Sequence, residues 1–170
     1  MEKKGWYAVF VKTGEEDNVK ERLEYRLKDT FNLFVPKRKL MERKKGVWKE
    51  NIRTLFPGYV LAKGEMDDNK YYEFKEVPGI IKMLCSDTKP LKIRNDEIEV
   101  LANLICNGET IGFSKVFIEN DRVVILEGPL KSMEGLIKKI DKRKGRAKVK
   151  ISFLGEGRTV DLGVSILGRT

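Results

Sequence analysis

The sequence predicts an α+β domain, an antiparallel sheet with flanking helices, followed by a small all-β barrel. Two observations carry the first half: aromatic and β-branched strand signals recur between Trp6 and Leu84, and amphipathic helical stretches separate them. A third carries the second half, because beyond Asn107 the helical spacing stops and short strand signals follow with glycine between them. The aromatic residues mark the same boundary, since 12 of the 15 lie in residues 1–74. The expected organisation is a first domain over 1–106, a linker over 107–118 and a second domain over 119–170.

In chain order, Trp6-Tyr7-Ala8-Val9-Phe10-Val11 is an unbroken apolar run, suited to a strand covered on both faces. Thr13-Gly14-Glu15-Glu16 reads as a capping box with Thr13 at the cap. Val19, Leu23 and Leu27 then recur every four residues, which predicts an amphipathic helix of roughly four turns lying on one sheet face. Leu33-Phe34-Val35 is a short strand signal stopped by Pro36. A basic stretch over 37–53 has Gly46 near its middle and predicts a hairpin on the same sheet with an exposed tip. Leu55 to Ala62 returns to strand character around the turn signal Pro57-Gly58. Asp67 is placed to cap a short helix carrying Tyr71, Tyr72 and Phe74, ended by Val77-Pro78-Gly79. Ile80 to Leu84 is a further strand, and Asp96-x-x-Glu99 is a second capping box whose helix has Ile98, Leu101 and Ile105 on one face.

The second half offers strands at Val123–Leu126, Leu136–Ile140, Ala147–Phe153 and Thr159–Leu162. In Lys148-Val149-Lys150-Ile151 the alternation turns Val149 and Ile151 inward and the lysines to water. Five glycines between 128 and 157, each costing an interior helix about 1 kcal/mol, predict a barrel that stays a barrel.

Composition excludes several functions. The 170 residues hold 35 Lys+Arg against 26 Asp+Glu, a formal net charge of +9, with no histidine and two cysteines. Without histidine there is no Ser-His-Asp or Cys-His pair and no His-ligated metal. Cys85 and Cys106 cannot build a tetrahedral zinc site alone and read as buried structural thiols. Gly155-Glu156-Gly157 lacks the Lys-Ser/Thr continuation of a phosphate-binding loop. Glu15-Glu16 and Asp67-Asp68 sit at helix starts, where dipole and capping effects account for them. No nucleophile is assembled with a base, so the expectation is a non-enzyme without metal or cofactor. No apolar run approaches the roughly 20 residues that span a bilayer, and the expected class is a soluble, cytosolic, nucleic-acid-associated protein.

The positive charge is concentrated. Lys37, Arg38, Lys39, Arg43, Lys44, Lys45, Lys49 and Arg53 face only Glu42 and Glu50, a net +6 over 37–53. Lys131, Lys138, Lys139, Lys142, Arg143, Lys144, Arg146, Lys148 and Lys150 face Glu134 and Asp141, a net +7 over 131–150. The rest of the chain therefore sums to −4. Each ridge reads either as a solvated charged face or as a phosphate-binding footprint. Trp48 either packs on nucleic acid or covers its own hairpin. Residues 119–170 contain one aromatic, Phe153, and so lack the stacking platform of single-strand binders. A folded RNA hairpin gripped through its phosphates is the better match, with Arg143 and Arg146 able to add planar contacts.

Several motifs now stand in a recognisable order: Trp6-Tyr7-Ala8-Val9, Leu55-Phe56-Pro57-Gly58-Tyr59-Val60-Leu61, Val77-Pro78-Gly79-Ile80, Pro90-Leu91 with Glu97-Ile98, and Asp121-Arg122-Val123-Val124 through Gly128-Pro129-Leu130 to Gly135-Leu136-Ile137. Over nearly the whole chain this resembles the NusG family of transcription elongation factors, an NGN domain followed by a KOW domain. The resemblance implies an antiparallel sheet with flanking helices and then an SH3-like barrel. It also implies that the NGN domain docks an apolar pocket on the clamp helices of RNA polymerase, through the positions matching Phe10, Phe56, Tyr59 and Leu61. Read without the resemblance, Phe56 and Tyr59 are better taken as core residues of a strand.

Where the family's KOW loop resembles Ile-Phe-Gly-Arg and contacts a ribosomal protein, this chain has Phe153-Leu154-Gly155-Glu156, an acid for a base, which counts against ribosome coupling. Within the family, the basic barrel is similar to the LoaP antiterminator subgroup. That likeness implies recruitment through a structured nascent leader RNA held by Lys138, Lys139, Lys142, Arg143, Lys144, Arg146 and Lys148, then suppression of pausing and termination. Lys37, Arg38, Lys39, Arg43, Lys44 and Lys45 are a second candidate nucleic-acid surface, toward upstream DNA or the same RNA, or else a solvated solubilising loop. A factor docking singly on polymerase is expected to be a monomer. The two other roles set against this are a general elongation factor coupling transcription to translation and a ribosome-associated KOW protein.

Overall fold

The computed structural model describes residues 4–86, 89–105 and 108–167. It is the mixed α+β arrangement the sequence predicts, falling into two compact units. The first comprises residues up to Val35 together with Phe56–Ile98, and the second Pro36–Leu55 together with residues from Glu99 on.

The first unit is built on strands β1 (Lys4–Val11), β2 (Phe31–Phe34), β5 (Tyr59–Glu65) and β6 (Ile80–Met83), in the antiparallel order β2-β5-β1-β6. Alternation along β1 splits its side chains between two faces. Tyr7, Val9 and Val11 enter a core with Val60 and Ala62, closed by Val19, Leu23 and Leu27 of helix α1 (Glu16–Leu27) and Phe74 of helix α2 (Asp68–Glu76). The spacing of four in α1 is thus its buried stripe, as expected. Asp67 caps α2 as expected, accepting the Lys70 N–H at 2.7 Å.

Neither capping box forms. Helix α1 has Glu15, not Thr13, at its cap with no side-chain cap bond, and the Glu16 carboxylate accepts from the Gly14 and Gly58 N–H groups. Helix α3 (Asn95–Leu104) already includes Asp96, whose carboxylate pairs with Arg94 at 2.7 Å. Of the expected face, Leu101 is buried while Ile98 and Ile105 are half-buried, and Glu97 and Leu104 complete the buried side. Cys85 lies in the two-residue strand β7 (Cys85–Ser86), paired only with β8 (Lys89–Pro90), and is exposed rather than buried. Cys106 lies outside the described residues.

The second unit has two sheets. Strands β3 (Lys37–Lys44) and β4 (Val47–Thr54) form a hairpin, and β9 (Thr110–Ile111) adds to β3 in parallel. Lys45 and Gly46 at its tip have φ of 51° and 79°, the two left-handed residues of a type I′ turn. The hairpin therefore exists with its tip exposed, but its strands belong to this separate sheet and not to that of the first unit. The other sheet is β10 (Ser114–Glu119), β11 (Arg122–Glu127), β12 (Ile137–Asp141), β13 (Arg146–Phe153) and β14 (Glu156–Leu167), in the order β11-β10-β14-β13-β12. It curls because β14 pairs antiparallel with β13 and then parallel with β10, as in half of an SH3-like barrel. Val149 and Ile151 are buried while Lys148 and Lys150 are exposed, as their alternation predicts. The stretch expected as a linker contains β9 and most of β10, in which Ser114, Val116 and Ile118 point inward.

Candidate nucleic-acid interface

The basic residues of the second unit divide into those bound up in structure and those free at two tips. On the barrel, Asp141 opens the β12–β13 turn by accepting the Lys144 N–H at 3.0 Å, and this bond, with nearby lysines, holds its carboxyl below the usual range. Lys142, Arg143 and Lys144 are thereby exposed on the turn, with Lys138 and Lys139 exposed on the strand before it. Arg43, Lys44 and Lys45 are exposed at the other hairpin's tip. None of Arg43, Lys44, Lys45, Lys142, Arg143 and Lys144 forms an ion pair among the described residues.

Arg146, Lys148 and Arg38 are engaged instead. Asp161 lies opposite Lys148 in the β13–β14 register and accepts from Lys148 Nζ at 3.3 Å and Arg146 Nη1 at 3.5 Å. Arg146 also donates Nη2 to the Met41 carbonyl at 3.3 Å, tying barrel to hairpin. Arg38 reaches the Thr54 and Leu55 carbonyls, both at 3.4 Å, and burial lowers the pKa of its guanidinium. Lys39 pairs with Glu50, and Arg53 with Glu42, whose carboxyl that hydrogen bond depresses. Arg146, expected at the RNA, and Arg38, expected on the second nucleic-acid surface, are thus engaged within the unit, with Lys37 and Lys39 half-buried beside Arg38.

The Arg146 bond to Met41 links the barrel to the hairpin, and the two tips lie together. One cleft of about 350 Å³ is lined by Met41, Trp48, Ile118, Ile166 and the turn Lys142–Gly145. A neighbouring cleft of about 420 Å³ is lined by Arg43, Lys44, Trp48, Arg53, Lys144 and Arg146, among others. Close approach at Gly163 allows this packing: a Cβ there would lie 2.5 Å from the Lys39 carbonyl oxygen and would overlap the Phe113 ring. Two ridges far apart in sequence are therefore one surface.

In the first unit, Phe10 and Tyr59 pair across β1 and β5, edge to face at 5.4 Å, and both are half-buried. Leu61, two residues on, and Phe56 are each only 2% exposed. Phe56-Pro57-Gly58-Tyr59 is a type II turn, with the Tyr59 N–H on the Phe56 carbonyl at 3.3 Å and Gly58 at φ 89°. Glu16 holds that turn: its carboxylate accepts the Gly58 N–H at 2.7 Å and the Gly14 N–H at 3.0 Å. Glu16→Gln leaves one of the two donors facing an amide NH₂ group. It is expected to cost about 2 kcal/mol in urea unfolding, the usual loss for a buried bond to a charged group.

A model of the family described as "Transcription termination factor nusG" matches residues 4–102, more than half of the chain. The chain belongs to the NusG family. The transcription termination/antitermination protein NusG of Pasteurella multocida is 30% identical over 99% of this chain and 96% of its own length. That of Thermus thermophilus is 28% identical over 94% and 95%. The solved structure titled "Domain interaction in Thermotoga maritima NusG" covers 95% of this chain and 94% of its own, at 25% identity and a TM-score of 0.60. The chain is accordingly a NusG-type transcription factor, and its relatives are transcription factors rather than enzymes. Among the described residues no helix is long and apolar enough to cross a membrane. The family's barrel loop, Phe153-Leu154-Gly155-Glu156, is a tight turn from β13 to β14, with Phe153 buried under the Arg158 guanidinium, 5.2 Å from its ring centroid.

Proposed function

We propose that this NusG-type factor is a processive antiterminator of the LoaP kind. Its first unit binds the clamp helices of RNA polymerase, and its basic second unit holds a structured element of the nascent leader RNA. The observation that carries this reading is the convergence of the tips Arg43–Lys45 and Lys142–Lys144, none of them in an ion pair among the described residues, on one surface. Exposed cations spaced along a ridge match a helical phosphate backbone and predict steep salt dependence. The hairpin shares the RNA with the barrel, and upstream DNA is the competing occupant. The buried Phe153 and the acidic Glu156 in the barrel loop weigh against ribosome coupling.

The test is transcription by purified RNA polymerase on templates carrying a terminator, with and without a structured leader, in the presence of the full chain. Readthrough that needs the leader supports the reading. Equal readthrough on both templates would make the protein a general elongation factor.

The polymerase contact has its own test. Phe10 and Tyr59 offer the exposed part of the proposed docking face, while Phe56 and Leu61 support it from within. Phe56→Ala would empty a core position at about 3–5 kcal/mol and confound the result. Phe10→Ala with Tyr59→Ala forfeits about 1 kcal/mol of ring pairing and is expected to abolish capture of polymerase while the protein stays folded. Undiminished capture by the folded double variant would place the polymerase contact elsewhere.

A further inference from the structure

The sequence places no stacking platform on the barrel, yet the fold delivers one to it from outside. Trp48 is the one aromatic side chain among the described residues of the second unit with more than a third of its surface exposed, at 41%. It lines both clefts between the tips, as does Lys144. Arg43 stands directly opposite it in the β3–β4 register. No ring or cation pairs with its indole among the described residues. A large aromatic face is thus held on a hairpin that Arg146 and the Gly163 approach fix to the barrel, with free cations on either side.

We infer that Trp48 stacks on one unpaired nucleobase of the structured RNA, while Arg43 and Lys44 on one side and Lys142 to Lys144 on the other take the flanking phosphates. The inference rests on the RNA-binding reading above and sharpens it. Phosphate contacts alone would accept any duplex, whereas an indole in the cleft requires a base out of the helix, in a loop or a bulge. Because there is one platform and not a row of them, the partner is a folded RNA with a single extruded base and not an extended strand. Indole stacking tolerates any base, so it reads the presence of a loop and not its sequence.

The probes are a short RNA stem closed by a tetranucleotide loop, the same stem blunt-ended, and a DNA hairpin of the same sequence, titrated with the full chain across a salt series. The wild type is expected to prefer the looped RNA to the blunt stem by about tenfold or more. Trp48→Ala is expected to erase that preference with the salt slope on the blunt stem unchanged, and Trp48→Phe to keep most of it. In a Trp6→Phe background, where Trp48 is the only tryptophan, the looped RNA and not the blunt stem should quench the tryptophan fluorescence. That readout decides the matter even where an alanine variant misfolds. A folded Trp48→Ala protein that keeps the loop preference, or absence of quenching by a bound looped RNA, overturns the stacking role and leaves the phosphate surface standing. A DNA hairpin bound as tightly as the RNA overturns the assignment to RNA. Failure of every probe to bind with salt dependence removes the basic-surface reading itself.

Discussion

Alanine at Lys142, Arg143 and Lys144 together is expected to lower the slope of log affinity against log salt by about 2 to 3 for a structured RNA. Each of these side chains is exposed and none is paired among the described residues, so each releases a counterion when it meets a phosphate. Three such contacts are worth about fortyfold in affinity over a fourfold change in salt. The wild type should therefore weaken more steeply with salt than the variant, which keeps the part of the slope that the hairpin tip supplies. Stability should be unchanged, since the Asp141 carboxylate bonds the Lys144 backbone N–H and not its ammonium. Alanine at Arg146 should behave in the opposite way. It releases Asp161 and the Met41 carbonyl, so its main effect is on stability. A slope unaltered by the triple variant would return the barrel ridge to the status of a solvated face.

The second large effect concerns Gly163. Its backbone is not in a left-handed conformation, so alanine there costs through collision alone. The added methyl meets the Lys39 carbonyl oxygen, which can yield only if β3 moves away from β14. Overpacking of this kind typically costs about 1–3 kcal/mol, or roughly 2–9 °C in melting temperature for a chain of this size. Gly163→Ala should also weaken RNA binding, because it separates the two tips. Gly112→Ala is the matched control: nothing lies within 4 Å of a Cβ there, so neither stability nor binding should change. If Gly163→Ala were as stable as the wild type and bound RNA as well, the hairpin would not depend on the barrel for its place.

Features that depend on spacing within one element are legible in the sequence. The stripe Val19-Leu23-Leu27, the cap at Asp67, the hairpin tip at Gly46 and the alternation of Lys148 to Ile151 are all of this kind. What the sequence does not carry is which carboxylate a given cation meets. Asp161 looks like an ordinary outward residue of a strand, and only the β13–β14 register sets it opposite Lys148 and beside Arg146. The same reason defeats both capping boxes. Glu16 and Asp96 have the right spacing for a cap, but the Gly58 turn and Arg94 compete for their carboxylates and win. Cys85 reads as a buried thiol because it follows the strand signal Ile80 to Leu84, yet it is exposed on a two-stranded ribbon.

The site shows the same division. Both charged ridges are plain in composition, and their exposed tips follow from turn signals. Their meeting is not, since Arg43 and Arg143 are joined only through the packing of β3 on the barrel sheet. Counting charge therefore overstates how many of these cations stand free at the surface and says nothing of how they are grouped. Arg38 and Arg146 are withdrawn into the framework, while Trp48, ambiguous in the sequence, is set between the tips.

The proposed function stands or falls on whether the 37–54 hairpin and the barrel form one RNA-binding surface. A salt titration of the full chain carrying Arg43→Ala, Lys44→Ala and Lys45→Ala, on the same structured RNA as the wild type, decides this. The slope is expected to fall by about 2 to 3, by the same amount as expected for the barrel tip, with folding intact. A hairpin-tip variant matching the wild type in both affinity and slope would show that the barrel binds the RNA without the hairpin.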